Sequence, residues 1–121
     1  MPLYRTLIRE GLLDIEQREG FANDVVDVHC DVTGAPRSFV HVLYAEDGDG
    51  RLDEGQNALV LGTIRNGRSA EQKQEIARRL VEALATRASV DTATITATSI
   101  DIEASHTMAV SYTHLTLPTI A

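Results

Sequence analysis

Pro2 is the residue of this chain whose type and position could do unusual chemistry. An internal proline nitrogen is an amide with no proton to exchange. With Met1 removed, Pro2 would instead carry a secondary amine that titrates. An α-amino group has an unperturbed pKa of about 8, and apolar walls or nearby arginines would lower it further. A group titrating that close to working pH is suited to acid–base work. The plainer alternative is a small second residue that merely permits methionine removal. A second cluster is Arg65-Asn66-Gly67-Arg68, followed by Ser69. Two guanidiniums flanking a turn, just ahead of a capped helix, suit an anion site built from both charge and backbone N–H groups; the plainer alternative is solvated turn residues that pair with nearby acids such as Glu71.

The other chemistry-bearing types exclude more than they propose. Cys30 is the single cysteine, so no intrachain disulfide is possible, and no metal-ligand spacing surrounds it. His29, His41, His106 and His114 are scattered without an H-x-x-x-H pair or a His/Cys cluster, so no metal and no cofactor is expected. Glu46 to Gln56 is acidic and glycine-rich, like a calcium loop, but the glutamate that should close such a loop is out of register. A solvated connection is expected there.

These residues need a scaffold, and the chain has enough length for one: 121 residues can form a single compact domain. Aromatics are 4%, so the core must be aliphatic. The net charge of −7, with no basic block, argues against nucleic acid and against an anionic membrane surface. No apolar run reaches the length of a membrane span, and no basic-then-apolar signal pattern opens the chain, so a cytoplasmic protein is expected.

Residues 3–8 read as a strand closed by Gly11. Asp14 can cap a helix, with Glu16 in its first turn. Phe21, Val25, Val28 and Val32 form one helical apolar stripe, which Gly20 weakens at its start. Gly34 and Pro36 end that helix, and residues 39–44 read as a second strand. Residues 58–64 are a near-continuous apolar run, which suits a strand buried on both faces. Ser69 and Gln72 form a capping box for a helix whose apolar face is Ile76, Leu80, Val81 and Leu84. Residues 94–102 are a Thr/Ile strand. The expected fold is therefore α/β (α+β). Two β-α-β repeats, about 2–45 and 58–103, form one four-stranded mixed sheet with two helices on one face. The other sheet face is left bare, and a bare apolar face is usually buried in an oligomer.

Four segments in this order resemble the tautomerase superfamily: Met-Pro-Leu-Tyr at the start, Asp-Val-His-Cys-Asp-Val-Thr-Gly around His29, Ile-Arg-Asn-Gly-Arg-Ser at 64–69, and the helix and strand that follow. The closest pattern is the fused, double-length branch that includes cis-3-chloroacrylic acid dehalogenase. The resemblance covers residues 2 to about 108 and implies a tautomerase-like fold. It implies Pro2 as catalytic acid or base, and Arg65 and Arg68 as the pair that binds a substrate carboxylate. It also implies His29 as a catalytic histidine that helps hold the carboxylate or a water. The other reading of His29 is a helix-face residue that packs near Val25. A homotrimer follows from the same resemblance, since two β-α-β units per chain give six around a ring.

The chain departs from the dehalogenase pattern at two places. Thr98 stands where that branch has a tyrosine, and Thr107 to Val110 lacks the glutamate expected soon after the last strand. Without that carboxylate no evident base activates a water. Residues 110–121 also read unlike the rest and resemble a translated sequencing adapter, so the domain is taken as 1–109 with a non-native tail after it. The expected function is a tautomerase or isomerase acting on a small 2-oxo or unsaturated carboxylic acid. The alternatives are a cis-3-chloroacrylate dehalogenase or hydratase-like lyase, and a non-catalytic ligand-binding oligomer that would not need a free N-terminal proline.

Overall fold

The structure, a computed structural model, describes residues 2–65 and 68–102. The adapter-like tail from Val110 and the Thr107–Val110 stretch lie outside the described residues, as does the side chain of Arg65. Strand β1 is Leu3–Arg9, helix α1 Ile15–Thr33, strand β2 His41–Asp47, strand β3 Ala58–Arg65, helix α2 Ala70–Ala88 and strand β4 Ile95–Ile102. Two β-α-β units follow one another, as the sequence predicts. The sheet order is β2-β1-β3-β4. β1 with β2 and β3 with β4 are parallel, while β1 and β3 pair antiparallel at the centre. Each unit thus contributes a parallel pair, and the two units join back to back.

The two helices start on matching devices. The Asp14 carboxylate accepts from the Gln17 N–H at 2.7 Å, and the Gln17 side chain accepts from the Asp14 N–H at 2.8 Å. Ser69 and Gln72 repeat this reciprocal pair at 3.1 and 3.0 Å. Each box satisfies two of the donors that a helix start leaves open. α1 ends at Gly34, whose φ of 78° lets its N–H reach the Cys30 carbonyl at 2.8 Å. Both helices cover one sheet face. Phe21, Val25 and Val28 of α1 meet Ile76, Leu80 and Leu84 of α2 over Tyr4, Ile8, Val60 and Ile64.

Two expectations need correction. The second strand begins at His41, not at residue 39, because Pro36 sets up a 3-10 turn over Arg37–Phe39. Phe39 stays 49% exposed outside the core. β3 is fully buried on its helix side, whereas on the other side Thr63 is buried and Leu59 and Leu61 are half-buried. The acidic connection begins at the end of β2. The Asp47 carboxylate accepts from the Arg51 and Leu52 N–H groups at 2.6 and 2.9 Å. Those N–H groups hold its pKa below the usual carboxylate range. This acidic loop is folded by its own side chain. Among the described residues no helix is long and apolar enough to cross a membrane.

Candidate active site

The entry of β1 lies between its two neighbours. The Pro2 carbonyl accepts from the His41 N–H at 3.0 Å, and the Leu3 carbonyl accepts from Thr63 Oγ1 at 3.2 Å. Leu3 pairs with His41 on one side and Thr63 on the other. Because β1 and β3 run antiparallel, this register brings the exit of β3, with Arg65, alongside the entry of β1. Pro2 itself is buried.

β3 ends at Arg65, and Arg68, half-buried, immediately precedes the Ser69 cap of α2. Gln72 Nε2 also donates to the Val32 carbonyl at 3.3 Å, which ties the start of α2 to the end of α1. That end of α1 carries His29. The positive end of α2 and the guanidinium of Arg68 thus stand beside the last turns of α1, an arrangement that favours an anion.

His29 is 1% exposed. Its Nδ1 lies 2.7 Å from the Tyr4 hydroxyl, with the two rings edge to face at 5.7 Å and 74°. Its Nε2 is buried and has no hydrogen-bond partner among the described residues. Burial, and then the charge of Arg68, pushes the His29 pKa below its ordinary value, so the ring stays neutral. Burial, with Cys30 adding to it, pushes the Tyr4 phenol well above the usual range, so it keeps its proton. His29 therefore packs in the core, as one sequence reading had it, yet keeps a nitrogen unengaged, as the other requires.

Of the sequence-predicted residues, Pro2, the backbone of Arg65, Arg68 and His29 are gathered at one end of the sheet. Thr98 is exposed on β4 opposite Leu61, on the face without helices. The residue the sequence reading passed over is Tyr4. Its signal was present: with Thr6 and Ile8 it alternates on the inward face of β1, and with Phe21 it is one of two fully buried aromatics among the described residues. A separate concavity runs between the helices, lined in part by Asp24, Asp27, Arg79 and Arg87. Its charges are already engaged, Arg87 with Asp24 at 2.9 Å, Arg79 with Asp31 at 2.7 Å, and Arg37 with Asp27. Among the described residues no group of three metal-ligating side chains is gathered.

No protein-family model and no curated protein sequence matches this chain. Solved structures do. The chain is similar to the crystal structure of native Ps01740, with a TM-score of 0.78 and 32% identity, covering 88% of this chain and 98% of that one. It is similar to N1, a member of the cis-3-chloroacrylic acid dehalogenase family, with a TM-score of 0.76 and 26% identity, covering 84% of this chain and 75% of that one. It also shares the fold of the F6 fused 4-OT, solved as an asymmetric trimer, with a TM-score of 0.76 and 17% identity over 85% and 88% of the two chains.

Proposed function

This chain belongs to the tautomerase superfamily, and from that membership we propose that it is an N-terminal-proline tautomerase or isomerase of a small 2-oxo or unsaturated carboxylic acid. Arg65 and Arg68 hold the carboxylate beside the start of α2. The neutral Pro2 amine takes a proton from one position of the bound acid, and the resulting ammonium returns a proton at another. His29 stands beside the carboxylate or a water. The observation that carries this reading is the meeting of strand ends: Pro2 opens β1 beside the end of β3, and Arg68 stands next to the capped N-terminus of α2.

A dehalogenase or hydratase-like lyase is the second reading, favoured by the likeness to N1. Thr98 weighs against it. A threonine on β4 cannot orient a water or carboxylate as the tyrosine of that branch would. We also read residues 1–109 as one tautomerase-like domain of two repeat halves, 110–121 as a non-native tail, and the protein as a cytoplasmic homotrimer. The trimer is supported by the bare sheet face and by the trimeric fused 4-OT that shares the fold.

The test joins a mass measurement to an assay. Intact mass is expected to show Met1 removed, since a retained methionine acylates the proline nitrogen and leaves it a non-titrating amide. The processed protein is expected to catalyse ketonisation of the enol of phenylpyruvate, and Pro2→Ala to lose most of that activity while staying folded. Equal activity in Pro2→Ala, whose N-terminus is a primary amine, would refute the secondary amine of proline as the required proton carrier.

A further inference from the structure

We propose that Tyr4 and Gly62 are positioning residues that hold His29 in a single tautomer, with its proton on Nε2, so that the neutral ring presents a hydrogen-bond donor to an oxygen of the bound acid. This rests on the reading of this end of the sheet as an active site, but the tautomer itself does not.

The argument begins by counting protons. The Tyr4 hydroxyl has His29 Nδ1, at 2.7 Å, as its hydrogen-bond partner. If Nδ1 is the acceptor, the phenol proton and the Nδ1 lone pair are both satisfied, and a single group, Nε2–H, is left unmet. If Nδ1 carries the proton instead, it donates to the phenol oxygen. The phenol proton then has no acceptor, and the Nε2 lone pair has no donor. Two buried groups go unmet in that arrangement and one in the first, and each buried unmet group is costly. A doubly protonated ring is opposed by burial and by the charge of Arg68. The Nε2–H form is therefore preferred.

The Tyr4 ring is in turn set by Gly62, its direct cross-strand partner on β3. A Cβ at position 62 would stand 2.7 Å from Tyr4 Cε1 and 3.0 Å from Cδ1. The ring lies where only a residue without a side chain leaves room, and any Cβ must push it away from its place against His29. The three residues come from β1, β3 and α1, so the device spans both repeats of the fold. What remains is a buried N–H donor without an acceptor among the described residues, near the end of α1 and within the field of Arg68. Native structures rarely leave such a donor unmet. A carboxylate or carbonyl oxygen of the substrate would meet it, and a neutral donor there adds direction without adding a third positive charge.

The experiment reads the ring directly. Histidine-15N-labelled protein, processed at Met1, is studied by long-range 1H–15N correlation at about pH 7.5, with His29 assigned among the four histidines by His29→Gln. The expected parent spectrum is a single Nε2–H tautomer. Tyr4→Phe is expected to yield a mixture containing the Nδ1–H form. Gly62→Ala is expected to do the same while the tyrosine is still present. In the enol-phenylpyruvate assay both variants are expected to raise KM about tenfold, as for loss of a directed bond to the carboxylate, with a smaller change in kcat. An Nδ1–H tautomer in the parent overturns the proposal, as does a pure Nε2–H tautomer in a folded Tyr4→Phe. The parent spectrum decides by itself if a variant does not fold. A parent with the Nε2–H ring but no tautomerase activity would instead remove the proposed function and leave the positioning intact.

Discussion

His29 and Arg68 are the residues whose charge states matter most. Burial and then Arg68 hold the His29 pKa below its ordinary 6.5, with Tyr4 facing it from β1 and Cys30 next to it along α1. As pH falls through about 6.5, the unfolded chain takes up a proton at this residue and the folded protein does not. The folded state is then progressively disfavoured, so its stability is full above the unfolded pKa and declines below it. Urea melts between about pH 7 and pH 5 are expected to show that decline, and His29→Gln to flatten it. An identical slope in the variant would mean the ring is not held neutral. Arg68→Ala is expected to weaken a carboxylate competitor by about ten- to a hundredfold, the worth of a charge-assisted contact of roughly 1.5–3 kcal/mol. An unchanged inhibition constant would make it a solvated turn residue. Pro2, Arg65 and Arg68 stand out in the sequence as candidates by position, one at the start of the chain and two around an Asn-Gly pair ahead of a helix cap. Tyr4 and Gly62 do not, because the first reads as core and the second as a weak point in a strand. Their purpose lies in a contact across 25 residues to His29, and another across the sheet, that no local pattern encodes.

At the scale of elements, the caps were the most legible part. Asp14, Gly34 and Ser69 act where their types predict, since capping is a local exchange of hydrogen bonds. The end of α2 had no such marker: Ser89 adopts a left-handed φ of 59° without being glycine. Gly20 is the other surprise. It sits in mid-helix because the Arg87 guanidinium lies against it on the way to Asp24, which it meets at 2.9 and 3.1 Å. A Cβ there would come within 2.5 Å of Arg87 Nη1, the far end of a flexible side chain that can move aside. Alanine improves a helix interior by about 0.8–1 kcal/mol, whereas an ion pair this exposed contributes about 0–1 kcal/mol. Gly20→Ala is therefore expected to leave the protein as stable as the parent or a few tenths of a kcal/mol better in chemical denaturation. A loss above about 1 kcal/mol would mean that the close approach of the helices, not the ion pair, depends on this glycine.

For the molecule as a whole, the pairing of two β-α-β units was legible, but their junction was not. Hydrophobic periodicity identifies strands without saying which will be neighbours, so the antiparallel β1–β3 seam emerges only in the fold. That seam sets the face without helices. Leu3, Arg5 and Leu7 of β1 lie there, with Arg5 between its partners Leu43 and Leu61 and Leu7 paired to Leu59. Leu43 is 53% exposed and Ile100 44%, and the Nε of Arg5 is buried without a partner. Sedimentation at micromolar concentration is expected to report a trimer, and Leu43→Glu, which places a charge on this face, to shift it toward monomer. A monomeric parent would contradict the assembly. The scarcity of aromatic residues has an optical consequence. The chain has three tyrosines and no tryptophan. Tyr4 is bonded to an imidazole, and Tyr44 donates to the Arg18 carbonyl at 2.7 Å. Two phenols held this firmly give near-ultraviolet circular dichroism from tyrosine unmasked by indole. An acid that engages His29 would alter the Tyr4 share of that band, so occupancy of the site can be followed on unlabelled protein.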